Sequence, residues 1–271
     1  MRDRKASLQL VTIAYVVTLV LSVGAGVGAL QLRPDLDPLW VGLWADVVGT
    51  FVIFGFSVRM KNASMYDAYW SVAPVALALY WAWVGGGDPV RMALVLALVS
   101  AWGVRLTYSW ARGWTGLHHE DWRYVDLREK TGAAYPLVNL LGIHFFPTAQ
   151  VFLGMLPVHA ALTMEGPLGA IDVLAAAVTG LAIYLEARAD RELHDFRLSK
   201  PAKGTILNTG LWAYSRHPNY VGECLFWTGL VGFSLAVGGG LWRATGALTI
   251  LLMMFFVSIP MIEARHKKRR P

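Results

Sequence analysis

Apolar residues in this chain gather into long runs separated by short polar stretches. Runs near the roughly 20 residues that a helix needs to cross a bilayer occupy Leu8 to Leu30, Leu39 to Val58, Asp67 to Val84 and Val90 to Trp110. Four more occupy Tyr135 to Met164, Leu168 to Ala187, Tyr220 to Val237 and Leu241 to Ile262. The pattern predicts an all-α fold, a polytopic integral membrane helix bundle of seven to eight transmembrane helices. The fifth run carries Pro147 and Pro157 and is expected to kink. Half of the connections are short and punctuated by Pro34, Pro38, Pro89, Pro167 and the glycine triplets that begin at Gly85 and Gly238, as tight helix-to-helix turns require.

Charge gives the pattern an orientation. Of the 24 Lys and Arg, 20 fall in the two tails or in the stretches Arg59–Tyr66, Ala111–Ala134 and Arg188–Asn219. The opposite face keeps Arg33, Arg91 and Arg243, with Arg105 inside a helix. This asymmetry predicts an even number of crossings with both termini cytoplasmic. The formal charge of +6 therefore reads as topology, and no nucleic-acid partner is expected. Residues Met1 to Lys5 resemble the charged part of a signal peptide, but the run behind them continues to Leu30 without a small-residue cleavage site, so an uncleaved first helix is expected. With 56% hydrophobic and 15% charged residues the chain is too apolar for one soluble core. Cys224 is the one cysteine, so neither an intrachain disulfide nor a thiolate metal site can form. A single transmembrane domain over 1–271 is expected; the glycines between Gly24 and Gly28 follow no strand and suit close helix packing.

The polar stretch from Asn208 to Glu223 is the densest candidate for chemistry. Arg216, His217, Asn219 and Glu223 fall among the aromatics Trp212, Tyr214 and Tyr220. Such a run either chelates a large polar ligand or only sets topology. Upstream, Glu186, Asp190, His194 and Arg197 recur at three- and four-residue steps, a stripe of acids and bases on one helix face. It is either a self-paired, solvated helix end or the wall of the same pocket.

Other polar groups have a structural reading beside any functional one. Ser64 and Asp67 have capping spacing, and capping alone would explain them. Asp46 lies inside the second run, where an acid is functional or paired across helices. His144 and Gln150 line a cavity or bond across helices. His118, His119, Glu120 and Asp121 lack a metal-ligand spacing and read as a solvated loop, so no metal is expected. Cys224 reads as a packing residue.

The residues Asp190, Arg197, Gly210, Leu211, Trp212 and the unbroken run Tyr214 to Glu223 resemble the NADPH-binding half of the membrane steroid 5α-reductase family and its bacterial relatives. The likeness covers Ala182 to Glu223 strongly and Asp67 to Gly113 more weakly. Its Arg216-His217-Pro218 core is shared with membrane methyltransferases acting on prenylated cysteine or phospholipid amines. The resemblance implies that residues 1–134 form a substrate cavity and 135–271 an NADPH pocket. NADPH is the implied cofactor, and a lipophilic enone or steroid, entering from the bilayer among its lipids, is the implied substrate. Implied cofactor contacts are Arg105, Arg112, Asp190, Arg197, Tyr214, Asn219 and Glu223, with Arg216, His217 and Tyr220 inside the motif and Glu186 and His194 on the stripe before it. The family's acid falls at Asp67, whereas its proton-donating tyrosine falls near Trp102, which cannot serve. Tyr66, Tyr69 and Tyr108 are the phenols nearby.

The activity so implied is hydride addition to the β-carbon of an enone, with carbonyl polarisation by an acid and a tyrosine. Donors held in a dry cavity stabilise the developing oxyanion far better than wet ones. An acid donates only while protonated, so Asp67 needs a raised pKa. The alternatives are an S-adenosylmethionine-dependent methyltransferase using the same loop and a lipid-binding protein without chemistry.

Overall fold

The structure, a computed structural model, describes residues 3–202 and 204–269, with the side chain of Arg269 undescribed; the expectations for Met1, Arg2, Lys203, Arg270 and Pro271 lie outside these residues. The described chain is mostly helical, with no strand among its residues. The helices are α1 Arg4–Leu32, α2 Pro38–Met60, α3 Tyr69–Val84, α4 Pro89–Gly113, α5 Trp122–Thr131, α6 Tyr135–Val138, α7 Phe146–Gly154, α8 Leu156–Thr163, α9 Ala170–Leu198, α10 Pro218–Ala236, α11 Thr245–Met253 and α12 Ile259–Arg269.

Among the described residues, six stretches are long and apolar enough to cross a membrane: Arg4–Leu32, Pro38–Met60, Pro89–Gly113, Trp122–Thr163, Ala170–Leu198 and Leu241–Lys268. The eight apolar runs are all helical, but α3, with 16 residues, and α10, which opens on Pro218, Asn219, Gly222 and Glu223, do not reach this standard. Exposed apolar side chains such as Ile13, Val20, Val173 and Phe256 belong to these stretches, as lipid-facing positions should. The protein is an integral membrane helix bundle.

Local chemistry sets the helix ends. Asp37 accepts from Leu39 N at 2.7 Å ahead of Pro38, and Asp88 caps α4 through Val90 N at 2.9 Å. Lys61 closes α2 with φ 53°, a left-handed C-cap. Near the expected kink the helix widens into a π turn at Asn139–Phe145, directly before Phe146 and Pro147. A second π turn, Met254–Ser258, precedes Ile259 and Pro260. In both, the widened turn stands where proline's missing N–H interrupts the ladder.

The described residues form two compact units, one of Met1–Gly85 with Trp102–Phe152 and one of Gly86–Ala101 with Leu153–Pro271. The division differs from the 1–134 and 135–271 halves: 86–101 go with the C-terminal unit and 135–152 with the N-terminal one. The first unit packs Val11, Ala14 and Tyr15 of α1 against Ile53 of α2, Met65, Tyr66, Ala68 and Tyr69, with Trp114 beneath them. In the second, α10 lies against α9 on small residues: a Cβ at Gly222, Gly229 or Gly232 would press on Glu186, Thr179 or Ala175. This is close backbone approach of the membrane kind.

Candidate functional site

In the first unit, the turn after α2 is held from outside. Asn62 donates to the carbonyls of Leu117 and His119, each at 3.0 Å, and its side-chain oxygen accepts from Ser64 N. Ala63 N donates to Glu120 at 2.8 Å, and Asp121 N to the Ser64 hydroxyl at 2.8 Å. Glu120 also pairs with Arg128 at 2.8 Å. The His118–Asp121 stretch is thus built into the turn, and both its acids bond to protein groups. Ser64 does not cap α3, which begins at Tyr69 with no side-chain cap.

Asp67 ends this turn outside α3, partly buried. Tyr124 of α5 donates to its Oδ1 at 2.6 Å. Burial pushes the carboxyl from its ordinary 3.8 up to about 7, against the lowering pull of the Tyr124 hydrogen bond and the Arg123 charge. The expected phenols lie elsewhere. Tyr66, buried, shares a 2.7 Å hydrogen bond with Thr148, and burial drives its phenol well above its ordinary range. Tyr69 is buried, with its hydroxyl beside Ser22 in the space that Gly49 leaves by lacking a side chain. Tyr108 is 62% exposed under the Arg112 guanidinium, 5.6 Å from its ring centroid. Arg105 is partly buried on α4. Trp102 is fully buried against Trp70, with ring centroids 5.8 Å apart.

His144 bonds Ser57 at 2.9 Å and the Asn139 carbonyl at 3.0 Å, within the π turn. Thr148 joins Tyr66 to Thr50 at 2.9 Å, and Thr50 donates to the Asp46 carbonyl at 2.8 Å. A buried polar chain therefore runs through the middle of this unit beside an apolar cavity of about 160 Å³ lined by Asp46 and Tyr69.

In the second unit, Glu186, Asp190, His194 and Arg197 share the single helix α9, which runs unbroken from its apolar part to Leu198. Glu186 is buried under Gly222, and Glu223, also buried, accepts from the Trp227 indole at 2.8 Å. The Gly210–Ala213 turn is pinned to α9: Leu211 N donates to Glu192 at 2.9 Å and the Trp212 indole to the Ala189 carbonyl at 3.1 Å. Gly210 there takes φ +58°, which a side chain would strain. Beyond the turn, Tyr214 projects with 92% of its surface exposed.

Arg216 is exposed and pairs with Glu263 at 3.2 Å. His217 stacks on Tyr220 with centroids 5.6 Å apart and lies 3.6 Å from the same Glu263. Burial holds the His217 imidazole below its ordinary value despite that carboxylate. Asn219 is partly buried in the first turn of α10, and Arg197 is exposed near the end of α9. Sequence reasoning missed Glu192, which fixes the loop, and Tyr124, which holds Asp67; an acid-capped short helix after Asp121 was the available signal for the latter.

These features define a class: a polytopic, all-α membrane protein with buried acids in both units and a pinned, arginine-bearing loop in the second. Residues 53–271 match the family described as "Protein of unknown function (DUF1295)", and the chain belongs to it. It is similar to an uncharacterized protein of Schizosaccharomyces pombe, 30% identical over 218 residues, a match covering 71% of this chain. The chain spans 63% of the length of that relative. No solved structure matches.

Proposed function

We propose that the protein is an NADPH-dependent reductase that saturates the C=C bond of a lipophilic enone, such as a 3-oxo-Δ4-steroid. In this reading it lies in a bacterial inner membrane with both ends cytoplasmic, as the distribution of Lys and Arg favours. The observation that carries the reading is the loop pinned to α9 through Glu192 and Ala189, which leaves Tyr214 and Arg216 outward. Such a donor set suits a phosphorylated nucleotide: guanidinium forks of Arg197 and Arg216 match phosphates, and the Tyr214 ring offers a face to a base. Bound NADPH supplies the hydride. The chain's own part is to orient the cofactor, to exclude water and to hold an acid and a phenol toward the carbonyl oxygen. That acid must carry its proton to donate, which burial favours.

The test is thermal melting of the purified chain in detergent with NADPH or S-adenosylmethionine. Stabilisation by NADPH alone supports reduction. Stabilisation by S-adenosylmethionine alone replaces the reading with methyl transfer, and stabilisation by neither favours lipid binding without chemistry. Loss of the reduced-nicotinamide absorbance with progesterone or testosterone then checks the substrate class.

A further inference from the structure

Asp46 is the most unusual group in the first unit. It sits in the middle of α2 with 6% of its surface exposed. Its side chain makes no hydrogen bond or ion pair among the described residues; the hydrogen bond it takes part in is through its carbonyl, from Thr50. It lines the apolar cavity of about 160 Å³ between α1, α2 and α3, together with Leu19, Gly26, Tyr69 and Leu77. Val23, Val27 and Trp83 also line this cavity and are exposed, so it opens sideways onto the apolar surface of the helices.

An isolated carboxylate in such surroundings is too costly to persist, so what the cavity can hold without a cation is the neutral acid, one O–H donor beside one acceptor oxygen. Leaving that donor unsatisfied is itself unfavourable. A carboxyl kept in this state is poised for a ligand with an acceptor oxygen and an apolar body. The cavity is smaller than the roughly 300–1,000 Å³ that encloses a whole drug-sized ligand. It therefore fits the oxygen-bearing end of a lipid whose remainder stays in the bilayer.

Asp67 differs on each count. It already accepts from Tyr124, stands near Arg123 and closes a turn bonded to residues 117–121. Tyr69, by contrast, shares the cavity with Asp46 and lies close enough to interact with its charge.

We infer that Asp46, with Tyr69, receives the ketone oxygen of a membrane-dissolved substrate in the α1–α2–α3 cavity, and that Asp67 is a positioning residue for the neighbouring turn. The identity of the ligand as a ketone rests on the reductase reading. The Asp46 O–H donates a hydrogen bond to the ketone oxygen, and the apolar body extends past Val23 and Val27 into lipid.

The experiment needs no cofactor. The full chain in detergent is melted with and without a saturated 3-oxo-steroid, as wild type, Asp46→Leu, Asp46→Asn and Asp67→Asn. The ketone is expected to stabilise the wild type and Asp67→Asn. Binding to Asp46→Leu weakens by about tenfold or more, the equivalent of one lost hydrogen bond in a dry site. Asp46→Asn, whose amide still donates, keeps most of the affinity. Without ligand, Asp46→Leu melts at or above the wild-type temperature, because it removes a buried polar group that no protein atom satisfies.

The inference falls if the ketone does not move the wild-type melt, if Asp46→Leu binds it as the wild type does, or if Asp67→Asn loses binding as completely as Asp46→Leu. Ketone binding through Asp46 in a chain that neither binds NADPH nor consumes it with any enone upholds the cavity assignment and overturns the reductase reading alone.

Discussion

The Tyr124 hydroxyl donates to Asp67 Oδ1 at 2.6 Å across 57 residues of chain. This bond fastens the turn after α2 to the short helix α5, in parallel with Ser64 to Asp121 and Ala63 to Glu120. The two partners also shape each other's protonation, since the hydrogen bond lowers the Asp67 pKa that burial raises.

Replacing Tyr124 with Phe removes that donor and leaves the ring. The loss should destabilise the protein by about 1–3 kcal/mol, the range for stranding a buried partner. Asp67 should titrate above about 7, because a lowering influence is gone while burial is unchanged. Melting in detergent reads the first effect, and carboxyl titration by infrared spectroscopy reads the second. An Asp67 titration that stays put or falls would show that the hydrogen bond does not favour the charged form.

Stability against pH follows from the same group. Asp67 binds its proton more tightly folded, at about 7, than its ordinary 3.8. Between these values the folded state holds more protons, so this contribution is full below about 3.8 and is lost as pH rises through about 7. Asp67→Asn should therefore gain on the wild type when melting temperatures are compared at pH 5 and pH 8. A difference between the two proteins that does not change with pH would contradict the assignment.

Much of this architecture is legible in the sequence because membrane helices announce themselves by composition. The apolar runs and the irregular turn before Pro147 follow from local signals, whereas the pinning of the Gly210–Ala213 turn to Glu192 of α9 does not. The partners of the polar residues do not. Asp46 and Asp67 are both lone acids beside apolar runs, and only the fold shows one bonded to Tyr124 and the other facing a cavity. Arg91 looked like a minor topology charge, yet it is fully buried against Asp172, 81 residues away. Spacing along a chain carries no information about such pairs.

Arg91 and Asp172 form a bidentate pair at 2.6 and 2.9 Å, and Arg91 also donates to the carbonyls of Gly166 and Pro167 at 2.9 and 2.8 Å. Arg91→Leu or Asp172→Leu leaves a buried charge alone and should cost about 3–5 kcal/mol. Replacing both with leucine should recover part of this, but not all, because the two carbonyls keep no donor. Denaturation of the four proteins in detergent checks the cycle. A double variant no more stable than the worse single one would show that the pair's charges are not what hold α4 to α9.

Arg216 and Glu263 make the opposite case. Their pair is 3.2 Å long and the arginine side chain is 82% exposed, so it adds little to the stability of the fold. On the reductase reading, Arg216→Ala should leave the melting temperature almost unchanged while weakening NADPH binding by about tenfold, through loss of a charge-assisted phosphate contact. Glu263→Gln should act in the reverse direction, because it frees the guanidinium from a competing carboxylate and removes a negative charge from the phosphate's approach. Both effects should shrink as salt is raised, since exposed charges are screened within about 10 Å at 0.1 M. Titration calorimetry at two ionic strengths measures all three. Should Glu263→Gln weaken NADPH binding, the carboxylate would be orienting Arg216 for the phosphate rather than competing with it.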